Sequence, residues 1–137
     1  MNEDIRWKQR FQNFKRAFFL LEEALENGPD SLNQLEKEGV IQRFECCVEL
    51  AWKTIKDYME SCGATFATVT PKAILKEAFQ AKVIGNGQVW IDMLIHRNLL
   101  SHTYDFTKFE EALEAVHRDY IPAFRELYGF LIEEDSL

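Results

Sequence analysis

Between residues 7 and 25 an apolar side chain recurs at every third or fourth position: Trp7, Phe11, Phe14, Phe18, Leu21 and Leu25. An α-helix turns once in about 3.6 residues, so this set shares one face of one helix, and that face must be buried. Gly28-Pro29-Asp30 stops the helix, because proline cannot continue the hydrogen-bond ladder. A second stripe keeps the same rhythm through Ile41, Phe44, Val48, Ala51, Ile55, Tyr58 and Cys62, with Gly63 as its C-terminal stop. Residues 31–38 are expected to add a turn or two ahead of it.

Residues 64–70 have strand-like composition, but a lone strand has nothing to pair with, so a loop is expected. Thr70-Pro71 opens a third helix, with threonine as cap and proline in the first turn. It reaches about Val83 and ends at Gly85-Asn86-Gly87. A fourth helix covers roughly 88–101. Thr107-Lys108-Phe109-Glu110 has the spacing of a capping box and starts a long fifth helix to about Glu133. Pro122 should kink that helix near Tyr120. Long amphipathic helices with short connections imply an all-α fold, an antiparallel up-and-down four-helix bundle with a long kinked C-terminal helix.

The chain of 137 residues is about the size of one domain, 1–137, and can bury a core without metals or disulfides. No apolar run approaches the ~20 residues of a membrane span, and no charged-then-apolar leader is present. Cysteines 46, 47 and 62 form no CxxC pair. On one helix Cys47 and Cys62 would stand ~22 Å apart, and neighbouring Cys46 and Cys47 could bridge only with strain. All three read as reduced thiols of a cytoplasmic protein, with Cys46 and Cys47 packed.

A formal charge of −7 argues against a general nucleic-acid binder. The charge is uneven, however. From Lys53 to Arg97 there are six Lys/Arg against four acids, while acidic excess gathers in 22–49 and from Glu110 to Asp135. A mildly basic middle is compatible with a local anion site, or with nothing more than solvated faces.

Polar groups of catalytic type crowd into Arg97-Asn98-Leu99-Leu100-Ser101-His102-Thr103-Tyr104-Asp105, between the fourth and fifth helices. At ~100° per residue, Arg97 and His102 on a continuous helix lie roughly 140° apart, while Asn98 and His102 share a face. Arg97 and His102 therefore converge only if the helix ends near Ser101, or if a second protomer supplies one of them. An ordinary structural reading also fits these residues. Arg97 and His102 suit the negative end of a helix dipole, and Tyr104 suits a half-buried aromatic with a wet hydroxyl.

Other constellations are thinner. Glu114-x-x-His117 occurs once, where di-metal bundles use such a step in pairs, and it reads as a solvated surface. Asp92 and His96 are four apart but lack a third ligand, so no metal site is expected. No glycine-rich phosphate loop and no nucleophile elbow is present, so no cofactor is expected.

Arg-x4-His followed by x-Tyr resembles the signature of HEPN domains, in particular the HepT-like toxin family paired with minimal nucleotidyltransferases. Ile41-Gln42-Arg43-Phe44-Glu45 and Glu49-Leu50-Ala51-Trp52-Lys53 resemble the second-helix pattern of the same family, also called nucleotidyltransferase substrate-binding proteins. Trp90 ahead of Arg97-Asn98 is similar too, and the likeness runs from the first helix to the fifth. One departure is His96, where an acidic residue is expected before the Arg-Asn pair.

The resemblance implies a homodimer whose two motifs face one cleft and, in active members, a metal-independent endoribonuclease. Arg97, His102 and Asn98 would be its catalytic residues, and Arg97, Asn98 and Ser101 its substrate-binding ones. A histidine near neutral pKa can take a proton from a ribose 2′-hydroxyl or return one to the leaving oxygen, and an arginine fork can hold the scissile phosphate. Asn98 would orient His102 or a phosphate oxygen. The resemblance also implies that a partner nucleotidyltransferase encoded nearby adds AMP to Tyr104, a bulky anion that would bar an RNA phosphate. Two alternatives stay open: a non-catalytic subunit holding a substrate or nucleotide for that enzyme, and a helical dimer with an interaction role alone.

Overall fold

The computed structural model describes residues 2–102 and 105–137, apart from the side chains of Asn2 and His102. Helix α1 spans Asn2–Ala24, and its aromatic stripe is core throughout: Trp7, Phe11, Phe14, Phe18, Leu21 and Leu25 are all buried. A 3-10 turn, Pro29–Ser31, follows the expected stop. Helix α2, Gln34–Ser61, starts earlier than its apolar stripe suggests, because Asn33 and Glu36 form a capping box. The Glu36 amide donates to Asn33 Oδ1 at 2.8 Å, and the Asn33 amide donates to Glu36 Oε1 at 2.9 Å. Residues 34–38 therefore belong to α2 and are not a separate short segment. At its other end Gly63, with φ of 99°, supplies the left-handed residue that lets the Ala64 amide return to the Met59 carbonyl at 3.0 Å.

Residues 64–70 contain no strand. Thr70 caps α3, Pro71–Gln80, by accepting from the Ala73 amide at 3.2 Å. This helix ends short of Val83. Lys82 adopts φ of 63°, and the Val83 amide turns back to the Ala78 carbonyl at 2.9 Å, closing the helix with a non-glycine residue. Helix α4 spans Gly87–His102.

Helix α5, Phe106–Ala115, is capped by Asp105, whose Oδ1 accepts from the Lys108 amide at 3.1 Å. The expected capping box from Thr107 is thus superseded. Asp105 is a stronger acceptor than a hydroxyl, and it captures the free amides two residues earlier. The kink expected at Pro122 takes the form of a π-helical segment, Val116–Tyr120, in which the Ile121 amide donates to the Val116 carbonyl. Proline lacks the amide that would continue the ordinary ladder, so the chain widens just before it. Helix α6, Ile121–Asp135, completes the order.

Side-chain contacts fix the directions. The start of α1 meets the end of α2, where Arg10 Nε donates to Asp57 Oδ2 at 2.7 Å. The same start meets the end of α6 through Lys8 and Asp135, 3.8 Å apart. Trp90 of α4 packs edge-on against Phe124 of α6, and further along α4 His96 reaches back to Tyr120. Helices α1, α2, α4 and the α5–α6 rod therefore alternate up, down, up, down around one aromatic core, and α3 spans the corner between α2 and α4. Cys47 is buried in that core, whereas Cys46, expected to be packed, is exposed. Among the described residues no helix is long and apolar enough to cross a membrane.

Candidate functional site

Arg97 lies in the last third of α4, facing α2. Its Nη1 donates to Glu49 Oε2 at 2.8 Å and its Nη2 to Asn98 Oδ1 at 3.3 Å. The Arg97 side chain keeps 21% of its surface exposed, so the fork is anchored yet open on one side. Glu49 has further partners on its own helix. Trp52 Nε1 donates to Glu49 Oε2 at 3.2 Å, and Lys53 Nζ lies 3.2 Å from Oε1. Residues 49, 52 and 53 share one face because helical neighbours three and four apart stack above one another. Burial raises the Glu49 carboxyl, but bonds from Trp52 and Lys53 and the charges of Lys53 and Arg97 outweigh it and hold it below its usual range. Glu49 therefore stays ionised at neutral pH.

Ser101 Oγ donates to the Arg97 carbonyl at 3.0 Å and approaches Glu45 Oε2 at 3.5 Å. Of the residues singled out from the sequence, Arg97, Asn98 and Ser101 are thus brought together at the α4–α2 seam. Helix α4 runs to His102, one residue past the expected end near Ser101, and positions 97 and 102 are separated by ~140° around its axis. The side chain of His102 and the whole of Tyr104 lie outside the described residues.

His96, immediately before Arg97, turns away from the seam. Its Nδ1 is hydrogen-bonded to the Tyr120 hydroxyl, on the π segment. Burial pushes the His96 imidazolium down, and Asp92, Glu111 and Asp119 offset this only in part. Burial pushes the Tyr120 hydroxyl up, so it stays protonated at neutral pH. The position before Arg97 thus holds an imidazole bound elsewhere, and Glu49 supplies a carboxylate to the guanidinium from another helix.

Asp92 is engaged by Gln88 Nε2 at 2.8 Å, and Glu114 and His117 are exposed. Among the described residues no three His, Cys, Asp or Glu side chains gather closely enough to hold a metal ion. The outer face of α4 remains apolar: Ile95 is 56% exposed, with Ile91 and Leu99 one turn to either side and partly exposed.

Glu49, Trp52, Lys53 and Tyr120 are the site residues that reading the motif alone does not reach. For the first three, the i, i+3, i+4 spacing of an acid, an indole and a cation was the available signal. For Tyr120 there was only its nearness to Pro122.

Residues 9–133 match the family described as nucleotidyltransferase substrate binding protein like. A probable ribonuclease HepT from Haemophilus influenzae is 34% identical over 102 residues, a stretch covering 72% of this chain and 62% of that protein. The match therefore spans less than two thirds of that relative's length. A solved structure of HI0074 from Haemophilus influenzae, presented as the fold of a substrate-binding domain of a nucleotidyltransferase, superposes with a TM-score of 0.73 at 26% identity. That superposition covers 89% of this chain and 98% of the other.

Proposed function

The chain belongs to the family of nucleotidyltransferase substrate-binding-like proteins, and from that premise we propose that it is the toxin-like helical subunit of a two-component toxin–antitoxin pair. In this reading it is a metal-independent endoribonuclease, and a minimal nucleotidyltransferase silences it by transferring AMP to Tyr104. The observation that carries the reading is the Arg97 guanidinium, anchored by Glu49 and Asn98 at the mouth of the α4–α2 seam with one side open to solvent. A planar fork so held can accept two oxygens of a phosphodiester and stabilise the charge that develops on them. His102 supplies the proton transfers, and Asn98 and Ser101 line the approach.

The continuity of α4 supports a site completed by two copies. Positions 97 and 102 diverge around one helix, so an arginine and a histidine meet more readily across a dimer than within a chain. The uncovered Ile91, Ile95 and Leu99 face of that same helix is the surface such a dimer would bury. The HepT relative supports the ribonuclease part of the reading, and the family name supports a nucleotidyltransferase partner.

The test is incubation with a mixed RNA pool in EDTA beside a His102→Ala variant. Cleavage by the parent alone is expected. Equal cleavage by both would take His102 out of the reaction.

A second reading is favoured by one observation. The superposable HI0074 structure is presented as a substrate-binding domain, and His96 stands where an acid is expected. In that reading the same seam holds a substrate for the partner enzyme without cutting it. Absence of cleavage by a dimeric protein with unmodified Tyr104 would select it.

A further inference from the structure

The second-helix block Glu49-Leu50-Ala51-Trp52-Lys53 has no part in the motif chemistry, yet half of the site is built from it. One carboxylate, that of Glu49, is gripped by three donors from two helices. Lys53 Nζ lies 3.2 Å from Oε1, while Arg97 Nη1 at 2.8 Å and Trp52 Nε1 at 3.2 Å share Oε2. Two cations face Glu49, and the next carboxylate along α2, Glu45, stands 3.5 Å from Ser101 Oγ, so the seam is locally balanced inside a chain of net charge −7. The arrangement is also half open: the Glu49 and Lys53 side chains keep 43% and 39% of their surface exposed.

A carboxylate offers two oxygens on one carbon, and a phosphodiester offers two non-bridging oxygens on one phosphorus. Donors arranged around the first are arranged for the second. Glu49 is held by partly exposed ion pairs, which contribute little each, and its flexible side chain can swing toward solvent. We infer that Arg97, Lys53 and the Trp52 indole N–H form a phosphate seat on α4 and α2, which Glu49 occupies until a phosphodiester of RNA displaces it.

The inference rests on the ribonuclease reading and deepens it. Lys53 and Trp52 become substrate-binding residues, and Glu49 becomes a built-in competitor that every incoming anion, a phosphodiester included, must displace. This offers one reason why an acidic chain can select RNA by a small cleft rather than by a broad basic face. The Trp52 side chain is nearly covered, and Lys53 stacks 6.0 Å above its ring, so the two donors are held in register with each other.

The experiment is fluorescence anisotropy of a fluorescein-labelled 2′-O-methyl RNA of mixed sequence, which binds but has no free 2′-hydroxyl to react. It is titrated with the full chain across a salt series. Lys53→Gln should bind more weakly and lower the slope of log affinity against log salt by about 0.7, the share of one phosphate contact on a single strand. Lys72→Gln, an exposed lysine on α3, should leave the slope unchanged. Glu49→Gln, which keeps the side chain's shape and an acceptor for Trp52, should tighten binding by about two- to fivefold.

A wild-type slope in Lys53→Gln would overturn the seat while leaving the ribonuclease reading intact. Weaker binding by Glu49→Gln, with its circular dichroism unchanged, would show that Glu49 holds Arg97 in place and is not displaced. No binding by the wild-type chain would overturn the RNA reading, and the seat with it.

Discussion

Arg97 Nη1 donates to Glu49 Oε2 at 2.8 Å, tying the arginine of the motif on α4 to the middle of α2. The guanidinium's second terminal nitrogen is committed to Asn98. Each half of the fork therefore has a separate partner, one on α2 and one on its own helix, as long as Glu49 keeps its place. A point charge could satisfy one of these contacts but not both.

Arg97→Lys should accordingly lower RNA cleavage by about two to three orders of magnitude, as expected when a phosphate-clamping donor is lost. Stability should hardly change, since a partly exposed ion pair is worth about 0–1 kcal/mol. Cleavage assays and urea midpoints of the same preparations check both halves. A lysine variant with parental cleavage would remove the fork from the chemistry.

The aromatic stripe of α1 makes a sharper claim about stability. Phe14 is fully buried between Phe18 and Phe124, whereas Phe19, five residues on, is 45% exposed. Phe14→Ala should cost about 3–5 kcal/mol, through lost transfer energy and the cavity left behind. Phe19→Ala should cost about 1 kcal/mol or less. Equal losses in urea unfolding would contradict the assignment of faces.

On α4 the uncovered residue is Ile95, and a dimer built on that face should be sensitive to it. Ile95→Glu places a charge in the centre of the apolar stripe, where burial against a second copy would be costly. Sedimentation velocity should report a monomer with an unchanged helical circular dichroism spectrum. A variant that remains dimeric would move the interface to another surface.

The two long stripes were legible because one-sided burial writes a 3.6-residue period into the sequence, and the turns at Gly28-Pro29 and Gly63 punctuate it. Where local signals competed, the choice was harder. Asn33-x-x-Glu36 is itself a capping box, but it precedes the apolar stripe of α2 by two turns, so the stripe alone does not reveal where that helix starts. At α5, Asp105 and Thr107 both offered oxygens, and the stronger acceptor, lying nearer the chain's exit from α4, took the amides. The motif Arg97-x4-His102 was visible, yet its anchor was not. Glu49 is 48 residues away, and only tertiary packing brings it to Arg97. The π segment was announced by Pro122 alone, and its consequence, Tyr120 meeting His96, has no local signature.

Tyr104 has a chemical rather than a structural test. Incubation with the partner nucleotidyltransferase and ATP should raise the mass of the parent chain by one adenylyl group, and Tyr104→Phe should show no gain. The modified parent should also lose RNA cleavage, because a phosphate two residues from His102 repels the substrate's own phosphates. A mass gain in the phenylalanine variant would place the acceptor at another side chain.

The His96–Tyr120 contact predicts a pH dependence whose sign can be worked out. Burial lowers the His96 pKa in the folded chain below its ordinary 6.5, so between the two values the unfolded chain binds more protons than the folded one. Stability should therefore be fully present above about pH 6.5 and fall as the solution is acidified toward the folded-state value. Protonation also removes the lone pair with which Nδ1 can accept from the Tyr120 hydroxyl. His96→Gln cannot titrate and can still bond to Tyr120, so its urea midpoint should change less between pH 7.5 and 5.5 than that of the parent. Asp92, Glu111 and Asp119 are the acids facing His96, and bonds from Arg118 hold the Asp119 carboxyl below its ordinary range. Parallel pH profiles for the two proteins would mean that His96 is solvated in the folded chain and that the π segment does not shield it.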